Sequence, residues 1–251
     1  MELNNIGFGT YRLKKDKCYN AVLNALKVGY RTIDTAELYK NHEYISKAIT
    51  DSSINRQNIH IISKILNKDQ YNNTVKEGFF KILNDLNTNY LDTILLHAPV
   101  ENYYLKSWKI LEEIKMHNYV NNIGVSNFRI HELVKLFNNC NIKPFLNQIE
   151  INPFNTRISL SDYCKNNNMI VQSYAPLTNG IKLNTISIPA TKILKWCLDN
   201  NYYAVSSSTN IEHMIENLNS VNVTLSNEDN LILNSLNENF YTIPHYTDYT
   251  D

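Results

Sequence analysis

Residues that interrupt or cross-link a chain are scarce in this sequence. Its 251 residues include only six glycines, six prolines and four cysteines. The cysteines are scattered, with no CxxC pair and no companion histidine at zinc-ligand spacing, so the sequence indicates neither a disulfide framework nor a zinc-finger motif. We therefore expect no metal site, and we expect free, buried thiols at Cys18, Cys140, Cys164 and Cys197.

Net charge and long apolar runs are also absent. Lysine and arginine number 24, as do aspartate and glutamate, so no net field draws the whole surface toward nucleic acid or an anionic membrane. No apolar run reaches the roughly 20 residues that span a bilayer, and residues 1–5 lack the features of a signal peptide. We expect a cytoplasmic protein without nucleic-acid or membrane partners. Because no linker-like segment divides the chain, we expect one domain over residues 1–251.

What the sequence does contain is a repeated strand-then-helix pattern. Ile130, Leu133, Val134 and Phe137, for example, have the spacing of a one-sided helix. The strand-like runs are mostly continuous apolar segments, which is typical of a parallel sheet covered by helices. This favours a (β/α)8 TIM barrel, of the α/β class, over a doubly wound sheet. The eight runs are residues 6–11, 32–36, 59–65, 91–96, 122–126, 145–151, 169–175 and 203–207.

Three consecutive predicted strands end in an ionisable side chain: Asp34, Lys64 and His97. In such barrels the reactive groups lie at the carboxyl ends of the strands, so these residues should meet at the barrel mouth. The loop after Asp34 also carries Tyr39, and Asn41 is predicted to cap the helix that follows.

Each of these residues alone has an ordinary structural interpretation. Asp34 would be a turn residue, Lys64 a solvated charge and His97 a hydrogen-bonded core histidine, while Tyr39 would be a packing residue. Their joint placement favours chemistry instead.

The chemistry that these four residues suit is proton donation to a carbonyl oxygen. A tyrosine, whose usual pKa is about 10, needs a neighbouring cation before it can act as an acid. Lys64 would stabilise the phenolate of Tyr39, Asp34 would keep Lys64 charged, and His97 would orient the carbonyl. The hydride must then come from a cofactor.

Seven segments together resemble the aldo-keto reductase family over about residues 7–239. The family resemblance implies a (β/α)8 barrel that reduces carbonyl groups with NADPH or NADH. Any one segment is a weak signal, whereas seven in order are a strong one. They are GFGTY at 7–11, GYRTIDTAELY at 29–39, ISK at 62–64, LLH at 95–97, GVSNF at 124–128, NQIEINPF at 147–154 and SYAPL at 173–177.

The resemblance also assigns roles to individual residues. It implies that Tyr39 is the general acid, that Lys64 and Asp34 tune it, and that His97 orients a small carbonyl substrate. Cofactor contacts are implied at Thr10, Asp34, Ser126, Asn127, Gln148, Tyr174, Leu177, Ser207, Ser208, Glu216 and Asn217. Substrate-wall positions are expected at Tyr11, Tyr39, His97, Ala98, Phe128 and Phe154.

Departures from the family pattern concern the cofactor and the loops. Ser207 and His213 stand where many members carry a lysine and an arginine for the 2′-phosphate of NADP. Because hydroxyl groups supply no positive charge, the preference between NADPH and NADH stays open.

The N-terminal hairpin of the family and several loops look shortened here. We therefore expect an open barrel floor, a wide and exposed site, and broad use of small aldehydes and ketones. We also expect a monomer, the commonest form in the family.

A second function remains possible on the same barrel. The shortened loops and the missing basic pair favour a nicotinamide-binding sensor or interaction module in which catalysis is vestigial. Retention of all four reactive residues favours an enzyme, because a binding module has no use for an acidified tyrosine. A barrel of unrelated chemistry would need a phosphate loop or a metal cluster, and the sequence shows neither motif.

Overall fold

Each of the eight predicted runs forms a strand in the computed structural model, which describes residues 5–243. The observed ends lie within two residues of the predicted ones. The strands are β1 Ile6–Gly9, β2 Thr32–Asp34, β3 His60–Ile65, β4 Leu91–Leu96, β5 Val120–Ser126, β6 Leu146–Glu150, β7 Ile170–Tyr174 and β8 Tyr202–Ser206.

The strands close into a barrel in sequence order. Each strand pairs in parallel with the next, and β8 returns to pair with β1 through Ala204 and Ile6. Parallel neighbours need crossover connections, and the helices supply them. This confirms the predicted (β/α)8 barrel.

Ten α-helices accompany the strands in the described residues. Their apolar faces cover the outside of the sheet, and a single large apolar core lies between strands and helices. The helices are α1 Lys15–Val28, α2 His42–Asp51, α3 Asn67–Tyr71, α4 Val75–Asp85, α5 Tyr104–Met116, α6 Ile130–Phe137, α7 Ile158–Asn166, α8 Ala190–Asp199, α9 Ile211–Leu218 and α10 Asn227–Ser235. None of these helices has both the length and the apolar content needed to cross a membrane.

Apolar side chains fill the inside of the barrel below its mouth. Ile62, Leu95 and Leu146 are fully buried there and pack against partly buried residues that include Phe145 and Tyr203. The expectation of an open floor stays a prediction. The expected lack of an N-terminal hairpin concerns residues before β1, and of these only Asn5 lies within the described residues.

Asn41 occupies the position that precedes α2, but its side chain does not cap that helix. Its amide instead donates to the carbonyl oxygens of Thr10 and Leu13, at 3.0 and 3.1 Å, and accepts a hydrogen bond from Thr35. The predicted cap is corrected for a physical reason. Two buried loop carbonyls need donors, and a fully buried amide satisfies them.

The β5 strand passes close to its neighbours at Gly124. A Cβ there would lie 2.9 Å from the carbonyl oxygen of Leu146 and 2.8 Å from Cδ2 of Leu95. The carbonyl belongs to the paired strand β6 and cannot move without disturbing the sheet.

We predict that Gly124→Ala lowers the free energy of unfolding by about 1–3 kcal/mol, the usual range for overpacking a core. Gly7→Ala is the matched control, because the nearest atom to its new Cβ is the Cγ2 of Thr32, a side-chain atom at 3.1 Å. Urea unfolding followed by circular dichroism measures both. Equal losses in the two variants would contradict the assignment of the cost to the Leu146 carbonyl.

Candidate active site

The barrel mouth contains a buried ion pair between neighbouring strands. Asp34 ends β2, and its Oδ1 lies 2.8 Å from Nζ of Lys64 on β3. The Lys64 ammonium also donates to the carbonyl oxygen of Thr35 at 2.9 Å. Lys64 is only 1% exposed, so these oxygens take the place of water around its charge.

Tyr39 lies directly above this ammonium. It ends a short 3₁₀ helix, Glu37–Tyr39, and its ring centroid is 5.2 Å from Nζ of Lys64. The ring also contacts His97 edge-on, with centroids 6.2 Å apart, and Tyr11 at 5.2 Å. The structure thus brings together the four residues that were predicted as a catalytic group, with Tyr39 and His97 half-buried at the pocket.

The helix that carries Tyr39 is anchored through Glu37. One oxygen of Glu37 lies 3.3 Å from Nδ1 of His42, and the other lies 2.8 Å from Nζ of Lys81. The Nε2 of His42 lies 3.1 Å from the hydroxyl of Ser63, next to Lys64 on β3. Glu37, His42 and Asp85 are close enough to hold a cation. The ammonium of Lys81 already pairs with both carboxylates, so this cluster acts as an ion-pair anchor.

Burial and the Lys64 charge set the ionisation of the site. Burial lowers the pKa of Lys64, and the Asp34 carboxylate opposes that effect. Burial, together with the charge of Lys64, lowers the pKa of His97 to about 3. His97 is therefore a neutral imidazole near pH 7, in which one ring nitrogen still carries a hydrogen that it can donate.

Across the barrel from Asp34, Gln148 on β6 completes the environment of the carboxylate. Its Nε2 donates to Oδ2 of Asp34 at 2.6 Å and to Oε1 of Gln172 at 2.7 Å. Both hydrogens of the Gln148 amide are therefore used. Gln148 lines the pocket, and its Oε1 is the side-chain atom that can still accept a hydrogen bond from a ligand.

Ser126 and Asn127, at the end of β5, are held in a similar way. The Ser126 hydroxyl donates to the backbone oxygen of Gln148, and the Asn127 amide donates to Ser126 and to the backbone oxygen of His97. The Oδ1 of Asn127 accepts from the Tyr174 hydroxyl at 2.9 Å. This bond fixes the Tyr174 ring at the end of β7, on the wall of the pocket.

One pocket of about 700 Å³ unites these groups. Most of the predicted site residues line it, and Lys64 lies buried behind Tyr39 and Asp34. The predicted residues in its wall are Tyr11, Asp34, Tyr39, His97, Ser126, Asn127, Gln148, Tyr174, Leu177, Ser207, Ser208, Glu216 and Asn217, and His213 lines it as well.

Besides Lys64, four predicted site residues lie outside the wall of this pocket. Thr10 is fully buried and donates twice to the backbone oxygen of Asp34, so it holds the end of β2. Phe128 is fully buried against the ring of Tyr104.

The backbone carbonyls of the other two residues accept hydrogen bonds from other segments of the chain. Ala98 is buried and accepts from Gln70. The Phe154 carbonyl accepts from the backbone amides of Glu238 and Phe240. Ala98, Phe128 and Phe154 were expected in the substrate wall, and none of them lines this pocket.

Other parts of the pocket wall carried no usable sequence signal. Arg12 and Leu38 line it from the loops after β1 and β2, and Asn179 and Leu183 line it from the segment after β7. That segment forms two 3₁₀ turns, Thr178–Gly180 and Leu183–Thr185.

The last described residues, Thr242 and Ile243, also reach the pocket. The backbone amide of Thr242 donates to Glu150 at 2.8 Å. Loops and tails have no periodic pattern, so only tertiary contacts reveal such residues.

Comparison with known proteins agrees with this architecture. The Aldo/keto reductase family profile matches residues 5–192. The glyoxal reductase of Bacillus subtilis is 33% identical over 249 residues, which cover 95% of this chain and 90% of the relative. The methylglyoxal reductase of Escherichia coli K12 is 29% identical and covers 84% of this chain and 82% of the relative.

Solved structures agree as well. An aldo-keto reductase from a Medee basin deep-sea metagenome superposes with a TM-score of 0.88 at 33% identity, covering 96% of this chain and 94% of that one. The Bombyx mori aldo-keto reductase, solved in complex with NADP, superposes with a TM-score of 0.86 at 25% identity, covering 96% and 91%. This chain therefore belongs to the aldo/keto reductase family and is an NAD(P)H-dependent oxidoreductase that reduces carbonyl groups.

Proposed function

We propose that this protein reduces small aldehydes and ketones to alcohols, with Tyr39 as the proton donor. The observation that carries the proposal is the buried Lys64 ammonium, which lies between the Asp34 carboxylate and the Tyr39 ring. A fixed positive charge beside a phenol favours the phenolate, so it promotes release of the proton. The charge is held in place because Asp34 and the Thr35 carbonyl are its hydrogen-bond acceptors.

His97 supports the same reaction as a neutral donor. A carbonyl oxygen gains negative charge as hydride reaches its carbon, and a preorganised N–H stabilises that charge. Because His97 is neutral near pH 7, it orients the substrate without competing with Tyr39 as the acid. The two rings are in edge-on contact, and both residues line the pocket.

The residues around the pocket fit a nicotinamide cofactor, which would supply the hydride when bound. Gln148 and Asn127 present amide oxygens, which suit the amino group of a carboxamide, and the Tyr174 ring offers a flat face for stacking. The expected cofactor residues Ser207, Ser208, Glu216 and Asn217 would lie along its adenosine half.

The substrates that we propose are small carbonyl compounds, including dicarbonyls such as glyoxal and methylglyoxal. The names of two relatives support this class. The proposed wall consists of Tyr11, Tyr39 and His97, joined by Arg12 and Leu38, and Leu38 is 57% exposed. A wall this open holds a small reactive carbonyl by few contacts, so its selectivity should be low.

We predict that Tyr39→Phe lowers the rate of methylglyoxal reduction at least about a hundredfold, the range expected for loss of a general acid. Binding of the cofactor, measured by fluorescence, should remain. Tyr119→Phe is the control, since Tyr119 precedes β5 at the opposite end of the barrel. Cofactor binding without turnover in the wild type would favour the sensor function instead.

We predict that NADPH and NADH differ by less than about tenfold in kcat/KM, because Ser207 and His213 offer no permanent charge to a 2′-phosphate. The double variant Ser207→Lys, His213→Arg should shift the ratio toward NADPH by about 10- to 100-fold, the equivalent of one charge-assisted hydrogen bond. Steady-state titration of both cofactors tests this. A wild-type preference for NADPH above a hundredfold would refute it.

We predict that His97 makes the protein less stable in acid. Its pKa is about 3 in the fold and near 6.5 in an unfolded chain, so below pH 6.5 only the unfolded chain gains the proton. The free energy of unfolding should therefore fall as pH drops from 6.5 toward 3. Urea titrations at several pH values should show a shallower fall for His97→Gln than for the wild type or for the exposed-site control His131→Gln. Parallel curves for all three proteins would count against a neutral His97 in the folded protein.

A further inference from the structure

A second glutamine inside the barrel has no role in the chemistry described so far. Gln172 on β7 is fully buried, and its Oε1 accepts the hydrogen bond from Gln148. Its own Nε2 is buried and has no hydrogen-bond partner among the described residues. An unpaired buried donor costs about 1–3 kcal/mol of stability, so the presence of this amide is not explained by stability.

Gln172 is the end of a hydrogen-bonded chain that crosses the barrel. The chain runs from Gln172 on β7 to Gln148 on β6, then to Asp34 on β2 and Lys64 on β3. The negative charge of Asp34 sets the donor-to-acceptor direction of these hydrogen bonds. A reversed Gln148 amide would place an oxygen against the Asp34 carboxylate, so Gln148 must donate there.

The bond to Gln172 adds a second constraint on the Gln148 amide. With a single partner at Asp34, the amide plane could turn about that bond and leave its other N–H facing the pocket. With acceptors at both hydrogens, the plane is fixed, and Oε1 is the only polar atom of Gln148 that is left for a ligand.

We propose that Gln172 is a positioning residue for cofactor binding. It holds the Gln148 amide so that its Oε1 accepts a hydrogen bond from the amino group of a nicotinamide carboxamide. This rests on the proposed function, because it needs a nicotinamide in the pocket. Gln172 itself is too deeply buried to touch the cofactor, and it acts through Gln148.

The test is the variant Gln172→Met, which keeps the length of the side chain but removes the acceptor. The dissociation constants of NADPH and NADH, measured by fluorescence on purified protein, should rise about three- to tenfold, the equivalent of one neutral hydrogen bond. The melting temperature should stay unchanged or rise, because the variant also removes the unpaired Nε2. A residue that served only packing would not weaken cofactor binding while keeping stability.

A double-mutant cycle with Gln148→Met shows whether Gln172 acts through Gln148. If it does, adding Gln172→Met to Gln148→Met changes the dissociation constant by less than about twofold. Thr93→Val is the control, since Thr93 bonds His60 at 2.9 Å, away from the pocket. It should lower the melting temperature and leave cofactor binding unchanged.

Two results would overturn the role of Gln172. One is an unchanged dissociation constant in Gln172→Met when the wild type binds the cofactor. The other is an equal loss of affinity with and without the Gln148 amide, since Gln172 would then act by another route. A wild type that binds neither NADPH nor NADH would refute the proposed function as well, and so that failure is distinguishable from the first two.

Discussion

The buried ammonium of Lys64 constrains everything around it at the barrel mouth. A lysine that is 1% exposed loses almost all of its hydration, and only close oxygens compensate for that loss. Asp34 and the Thr35 carbonyl supply those oxygens. Removing the charge of either Lys64 or Asp34 would leave the other charge buried and unpaired, at a cost of about 3–5 kcal/mol. A buried ion pair of this kind is therefore weak evidence that it stabilises the fold and stronger evidence for a functional site.

The consequences of this pair spread in two directions. Toward the inside of the barrel, the second oxygen of Asp34 needs a donor, and Gln148 provides it from the opposite side of the lumen. Toward the pocket, the positive charge acts on the two rings above it. In the proposed reaction it would promote release of the Tyr39 proton, and it helps to keep His97 neutral. The charge of Lys64 thus acts differently on the two neighbouring side chains.

The rest of the pocket depends on contacts between segments that are distant in sequence. Lys182, after β7, pairs with Glu238 near the end of the described chain and lies 4.7 Å from the ring centroid of Phe240. Glu150 binds the amide of Thr242, and burial raises the pKa of this carboxyl. The pocket therefore has a wall here although the loops are short, because the segment after β7 and the segment after α10 contact each other.

The sequence by itself determined the eight strands, the closed barrel and the ionisable residues at the strand ends. These features are local or periodic. Apolar runs specify strands, and the carboxyl ends of parallel strands must meet at one face. Asp34, Lys64 and His97 could therefore be placed together from their positions alone, and Tyr39 from its loop.

Only the tertiary structure decided which side chains face the pocket and which lie behind it. Phe128 and Phe154 follow strand ends as His97 does, yet one packs against Tyr104 and the other supports the chain near Phe240. Gln172 gave no sequence signal, because its importance lies in a bond to Gln148 on a neighbouring strand. Whether a side chain faces the pocket depends on side-chain volumes and hydrogen-bond partners in segments that are far apart in the chain. The residue pattern within one segment therefore does not predict it.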